Sequence, residues 1–343
     1  MKINKILLIF LALGFLFSCQ NEDISFPDFD YTTVYFANQY PLRTLVLGKD
    51  PQVDLTLDNQ HKVKITSTIG GVYSNSIDRI INIEVDESLC EGVLFDDGSD
   101  LEALPTEYYT LESNQIVIKA GSLLGGVVVE FTSAFFEDPL ALDKHYVIPI
   151  VMTDVTNADS ILSGSAVVEN PNRVIDAHWA IAPKDYVLYG IKYINPWHAN
   201  YLRRGVDQIF DGTTTITDVR HEEYVEYNEL VRVSTVSYKE CSIPVKIYED
   251  DNLTTRADIE LLLTFDDNNK CTISSNSSSY TASGTGVFVT NGEKNSIGGL
   301  DRDALYLDYS VELTDLGYTY STKDTLVSRD RGISPEYFNI VTE

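Results

Sequence analysis

The sequence predicts an all-β protein, an immunoglobulin-like β-sandwich followed by an antiparallel β-barrel. Three observations carry this. Apolar and polar residues alternate over short runs along most of the chain, the period of a half-buried strand. Almost nothing repeats at the spacing of a long amphipathic helix. Clusters of Gly, Asn and Asp separate the runs, as hairpin turns require.

In the first half, Ile81, Ile83 and Val85 alternate with Asn82, Glu84 and Asp86. Ile116 and Ile118 continue the pattern, then Val127, Val129 and Phe131. Gly121, Gly125 and Gly126 lie between those two runs as turn signals. Tyr146 to Met152 reads as the last strand of the group, and Pro149 within it predicts an edge or a bulge. Short strands at this spacing imply a sandwich over residues 31–168. Around Val168 to Ala177 the alternation stops, and the polar Glu169-Asn170-Pro171-Asn172-Arg173 marks a boundary.

The second half, 178–343, is also β-rich. Val231, Val233 and Thr235 alternate, as do Ile259, Leu261, Leu263 and Phe265. Leu305, Leu307, Tyr309, Val311 and Leu313 form the clearest one-faced strand. Asp266-Asp267-Asn268-Asn269 and Asn291-Gly292-Glu293-Lys294 are connecting turns. Sequential hairpins build a meander, and closure removes its edges. A lipocalin-like barrel is the expected form, with a second sandwich as the alternative.

The N-terminus carries an address. Lys2 and Lys5 precede an apolar run, Ile6 to Phe17, that ends at Ser18-Cys19. The run is shorter than the ~20 residues a spanning helix needs, and it reads as an export signal over 1–18. The arrangement resembles the bacterial lipoprotein box, which implies acylation of Cys19, although Phe17 departs from the usual small or aliphatic choice. Residues 19–30 then form a tether. Its Gln20-Asn21-Glu22-Asp23 resembles the acidic signal that sends lipoproteins of the Bacteroidota to the outer face of the outer membrane.

Composition narrows the partners. The chain has 52 acidic and 25 basic residues and a formal charge of −27, and loss of residues 1–18 removes only positive charge. Binding a phosphate backbone needs clustered Lys and Arg, so nucleic acid is excluded, and neutral partners are favoured. Beyond Cys19 the cysteines are Cys90, Cys241 and Cys271. Cys241 and Cys271 fall in one half and are the candidate disulfide. Free thiols are the alternative, and spacing does not choose. No spacing matches a zinc site, and no metal or other cofactor is expected.

Several segments resemble known sequences. The run from Val34-Tyr35-Phe36-Ala37 to Leu47-Gly48 resembles the opening strand of an uncharacterised β-sandwich domain of surface lipoproteins in gut Bacteroidota. Trp179-Ala180-Ile181-Ala182-Pro183, Ile194-Asn195-Pro196-Trp197-His198 and Asp301-Arg302-Asp303-Ala304-Leu305 resemble a C-terminal domain often joined to it. Such proteins are commonly encoded in polysaccharide utilisation loci, beside a TonB-dependent transporter and its glycan-capturing lipoprotein. The resemblance implies glycan capture at the cell surface with those two proteins as partners. The same N-terminal domain also occurs attached to glycoside hydrolases.

Catalytic motifs are missing. His221-Glu222-Glu223-Tyr224-Val225 begins like a zinc-protease helix but lacks the second histidine. No Gly-x-Ser-x-Gly occurs. Gly284-Thr285-Gly286 opens a strand, not a phosphate-binding helix. A glycosidase needs two carboxylates ~5–10 Å apart, and sequence spacing does not select a pair. Neither half has the ~250 residues and alternating helices of a (β/α)₈ barrel, so the chain is read as no enzyme. Asp96-Asp97-Gly98-Ser99-Asp100 reads as a solvated acidic turn, with calcium through oxygen ligands as the alternative. Asp159-Ser160-Ile161 and Asp324-Thr325-Leu326 resemble O-glycosylation acceptors of the Bacteroidota.

A sugar presents a C–H face to a flat ring and a rim of hydroxyls to polar groups. Tyr186 to Arg204 has that mixture: Tyr189, Tyr193, Trp197 and Tyr201 with Asn195, His198, Asn200, Arg203 and Arg204. Trp197, Tyr193, Tyr189, Tyr201, Asn195 and Arg203 are therefore the candidate glycan-binding residues. The competing reading for every Trp and Tyr is a semi-buried core residue with one hydrogen-bonded tip. Tyr224 and Tyr227, among glutamates, read as an exposed strand face. The expected function is non-catalytic binding of a polysaccharide or oligosaccharide by a lipid-anchored outer-membrane protein. A structural, adhesive or transporter-accessory role is the alternative.

Overall fold

The computed structural model describes residues 29–248, 256–313 and 317–342. Cys19, the signal and most of the tether lie outside the described residues. The protein is all-β, a two-sheet sandwich followed by a closed eight-stranded antiparallel barrel.

The sandwich pairs a five-stranded sheet with a seven-stranded one. The alternating residues read from the sequence face each other across it. Ile81 and Ile83, Ile116 and Ile118, and Val127, Val129 and Phe131 share one core with Ile148, Ile150 and Met152. The seven-stranded sheet is also covered on its other face, by Leu89, Val93, Phe95 and Phe338 over Val147, Val151 and Leu188. This double burial explains why Tyr146–Thr156 is apolar on both faces over its first half.

Pro149 is not at a sheet edge. Tyr146–Thr156 is central, between Tyr186–Ile194 and Arg79–Val85, and the bulge lies further on, between Met152 and Asp154. Pairing to Arg79–Val85 begins only at Ile150, and pairing to Glu102–Ala103 ends at Val147. Pro149 fills the gap between these partners, where its missing N–H breaks no ladder bond.

The boundary at 168–177 is also corrected. Tyr186–Ile194, expected in the second half, pairs antiparallel with Tyr146–Thr156 and parallel with Pro41–Val46. Its sequence is apolar on both faces, so it needs a central place in a covered sheet. The chain end returns as well: Glu336–Tyr337 pairs with Pro41–Val46, and Ile340–Thr342 with Val93–Phe95.

The barrel runs Ala199–Phe210, Glu229–Ser237, Glu240–Tyr248, Arg256–Phe265, Lys270–Ser274, Tyr280–Glu293, Arg302–Leu313 and Tyr318–Asp330. Pairing of the last strand to the first, from Asn200↔Asp330 to Phe210↔Thr319, closes it. Thr215–Arg220 forms an extra hairpin on the far half of the first strand. Ile243, Val245, Leu261, Leu263, Leu305, Leu307 and Val311 pack the interior. The barrel form of the expectation therefore holds over the second sandwich.

Contacts at Arg331 and Tyr238 are among those that join the units. Arg331 is buried and donates to the carbonyls of Leu47 (2.9 Å), Lys49 (3.1 Å), Asn195 (2.8 Å) and His198 (2.7 Å). Tyr238, at a barrel hairpin tip, packs on Phe136 with ring centroids 5.3 Å apart.

Candidate functional site

The six residues proposed from sequence do not form an exposed platform. Trp197 is 6% exposed and stacks on Phe265, and its Nε1 donates to Asn269 Oδ1 at 3.1 Å. Tyr193 and Tyr201 are fully buried, and their hydroxyls donate to the carbonyls of Phe136 and Trp197. Tyr189 packs half-buried against the sandwich core, and desolvation pushes its phenol up to about 12. Asn195 is enclosed, its amide donating to the Ser237 and Glu240 carbonyls. The competing reading, aromatic rings packed in a core with satisfied polar tips, is the one realised. The segment is the joint where the chain leaves one unit and enters the other.

Arg203 points into the barrel. Its Nε meets Asp324 at 2.8 Å, Nη1 meets Glu229 at 3.1 Å, and Nη2 donates to Tyr309 Oη. Arg220 joins this network by pairing with Asp207 (2.7 Å) and Asp324 (2.7 Å), and Thr322 donates to Asp207. Burial alone would raise the Asp207 carboxyl, but Arg220 and Thr322 outweigh it and hold it below the usual range. Burial alone would lower Arg203, and the Asp324 carboxylate reverses that. Asp324, the first residue of one glycosylation-like motif, is sequestered here, and its side chain has no accessible surface.

Cys241 and Cys271 are free, buried thiols. They lie on strands separated by Arg256–Phe265, with Cys241 opposite Leu263 and Cys271 opposite Phe265. Two strand spacings put them ~10 Å apart, beyond the ~7 Å Cα limit for a bridge. In the acidic turn, Asp97 accepts from Ser99 and pairs with Lys144 at 2.8 Å, which together draw its carboxyl well below the usual range. Among the described residues no cluster of His, Cys, Asp or Glu is arranged to hold a metal.

Besides a smaller hollow of about 240 Å³ beside Glu260 and Tyr280, two depressions stand out among the described residues. A cleft of about 390 Å³ lies between the units, lined by Lys49, Asp50, Asp54, Asp301, Arg302 and Asp330 among others. Its polar groups are largely spent within the protein. Asp50 accepts from the Gln52 and Val53 amides, Asp301 from Asn295 and Lys294, and Asp330 from Gly332 and Asn200. Arg302 donates to the Ile297 carbonyl.

The larger depression, about 850 Å³, crosses the outer barrel wall. Strand register sets its lining in two rows. Thr264 pairs with Thr272, Thr272 with Thr285, Thr285 with Asp308, and Asp308 with Lys323. Alongside, Lys270 pairs with Val287, Val287 with Tyr306, and Tyr306 with Thr325. Alternation along each strand turns all of these outward. Among the described residues, the Thr272, Thr285 and Thr325 hydroxyls carry no internal hydrogen bond, unlike the groups in the cleft. Asp308 and Lys323 form an exposed ion pair at 3.0 Å. Tyr306 is half-buried at the groove edge, its hydroxyl donating to Glu293 Oε1 at 2.9 Å, while Glu293 pairs with Arg204 at 2.6 Å.

Glycine shapes the wall. Gly284 and Gly286 face inward on Tyr280–Glu293, and a Cβ on Gly286 would lie 2.5 Å from Leu307 Cδ2 and 2.8 Å from Cys271 Sγ. Without inner side chains the strand draws close to the core, and the outer surface dips over it. Sequence reasoning missed this groove because its residues lie far apart in the chain. The one available signal was Gly284-Thr285-Gly286, whose glycines alternate on one face of a strand.

Comparison with known proteins covers both units. A family model for an N-terminal domain matches residues 29–159, and a domain of unknown function, DUF5627, matches residues 196–332. No curated protein matches the chain. A crystal structure of a protein of unknown function from Bacteroides ovatus is 46% identical, with a TM-score of 0.86, covering 92% of this chain and 100% of that one. An auxiliary nutrient binding protein from Bacteroides thetaiotaomicron is 13% identical over 90% of this chain and 94% of its own, at a TM-score of 0.31. That likeness is too slight to carry fold or function.

Proposed function

The chain belongs to the same family as the Bacteroides ovatus protein of unknown function, and from that premise we propose that it is a non-catalytic glycan-binding protein whose site is the groove on the barrel wall. The observation that carries this is the set of unengaged hydroxyls on Thr272, Thr285 and Thr325 beside Val287 and the fixed ring of Tyr306. Hydroxyls, one ion pair and an apolar strip match the alternation of hydroxyl rim and C–H face on a sugar. The acidic pair inside the barrel, Asp207 and Asp324, is bound to arginines, and the Asp324 side chain is sealed from solvent beneath the groove, which supports binding without cleavage.

The sandwich acts as a spacer, and acylated Cys19 anchors the protein at the outer membrane, facing the medium. There it delivers polysaccharide to a TonB-dependent transporter and its capturing lipoprotein. Affinity electrophoresis of the folded protein in gels cast with neutral and host polysaccharides tests the activity. Retardation by at least one polysaccharide, lost in Tyr306→Ala, is expected. Unretarded migration through every gel sinks the reading. A second reading, an adhesive or transporter-accessory protein, draws on exposed Val206, Phe210, Val219 and Leu230 around the extra hairpin. Sugar-independent co-purification with outer-membrane proteins would favour it.

A further inference from the structure

Resting on the glycan-binding reading, we infer that the groove takes the interior of a linear, neutral polysaccharide, laid across the strands with about one sugar ring per strand, in place of a chain end or a single sugar. The argument begins with direction. Thr264, Thr272, Thr285, Asp308 and Lys323 are successive register partners, so their line runs perpendicular to the strands. Neighbouring strands lie ~4.8 Å apart, and the row is ~19 Å long. A pyranose repeat is close to one strand spacing, so the row takes about four rings in line. The first three positions repeat a threonine at that spacing, with the Thr264 hydroxyl donating to Glu240 Oε1 at 3.2 Å and those of Thr272 and Thr285 unengaged. A repeating wall suits a repeating ligand.

The ends are open. Thr264 and Lys323 are both exposed. Beyond Lys323 the register continues to Val206 and then Val219, 39% and 62% exposed. No buried side chain stops a chain at either end, so nothing selects a terminus. A site for one sugar would enclose it, as small-ligand pockets do.

Charge sets the class. Asp308 and Lys323 neutralise each other, and Asp266 accepts from the Asn268 and Lys270 amides. The groove offers no unopposed cationic cluster, and the chain as a whole carries −27, which repels polyanions.

Calorimetric titration with xylose-, mannose-, glucose-, galactose- and arabinose-based oligosaccharides of one to eight units, and with their parent polysaccharides, tests this. For the series that binds, single sugars are expected to give no heat. Affinity is expected to climb to a plateau near four or five units, and the intact polysaccharide to bind several protein molecules per chain. Thr285→Arg and Thr272→Arg, both at exposed positions, are expected to abolish binding with an unchanged melting temperature. Equal affinity for a single sugar and a tetrasaccharide overturns the inference while leaving glycan binding intact. So does a stoichiometry of one protein per chain regardless of length. Tighter binding of sulfated or uronate-rich polysaccharides overturns the neutral class. Binding to none of the polysaccharides overturns the underlying reading itself.

Discussion

Trp197 lies flat on Phe265, with ring centroids 3.9 Å apart and planes 7° from parallel. The pair fills one end of the barrel core, and the indole N–H is satisfied by Asn269. Trp197→Ala should therefore cost about 3–5 kcal/mol of stability. Urea denaturation measures this, and glycan binding per folded molecule should be unchanged. A stable variant that no longer binds sugar would return Trp197 to a ligand role.

The network around Arg203 makes a separate prediction. Asp324→Asn leaves Arg203 and Arg220 buried without their shared carboxylate, and breaking a buried pair costs about 3–5 kcal/mol. Asp324→Leu combined with Arg203→Met removes both partners and should recover part of that loss. Equilibrium unfolding of the two variants, compared with the parent, checks the order.

His198 predicts a pH dependence. It is 8% exposed, accepts from the Thr235 amide, and faces Arg232. Burial, then the Arg232 and Arg331 charges, lower its pKa to about 4. The unfolded chain takes up that proton near pH 6.5. Between those values the unfolded state binds more protons, so stability falls as the pH drops from about 6.5 towards 4. The loss is on the order of 3 kcal/mol. Denaturant midpoints measured from pH 7 to 4 should decline, and His198→Gln should flatten this part of the profile.

Both barrel cysteines should behave as buried thiols. Desolvation pushes Cys241 and Cys271 up to about 12, so neither is a thiolate at neutral pH. A thiol reagent should label them slowly in the native protein and fully in denaturant without reductant. Full protection that persists in denaturant until a reductant is added would reveal a disulfide.

Gly286→Val links wall shape to binding. Its side chain would collide with Leu307 and Cys271, and overpacking of this kind costs about 1–3 kcal/mol. The strand must move outward, which fills the depression above Thr285. Polysaccharide affinity should fall more than stability, as read by gel retardation beside a melting curve.

What the sequence determined by itself was the kind of wall. Ile259 to Phe265, apart from Leu262, and Leu305 to Leu313 place an apolar residue at every second position, so each strand has one face for a core, whatever its neighbours. The turn at Asp266–Asn269 made a hairpin as read, whereas Asn291 to Glu293 continue the strand Tyr280–Glu293 and the connection to Arg302–Leu313 falls after them. What only the tertiary structure decided was who meets whom. Tyr186–Ile194 is apolar on both faces, so its pattern names no sheet, and only distant pairing with Pro41–Val46 and Tyr146–Thr156 assigns it to the sandwich. Trp197, Tyr201 and Arg203 have the composition of a sugar site, and closure of the barrel by Ala199–Phe210 against Tyr318–Asp330 turned them inward. The groove exists only through register, which aligns Thr264, Thr272, Thr285, Asp308 and Lys323 from five strands. Local alternation tells which way a side chain faces. The line it joins depends on hydrogen bonds between strands far apart in the chain.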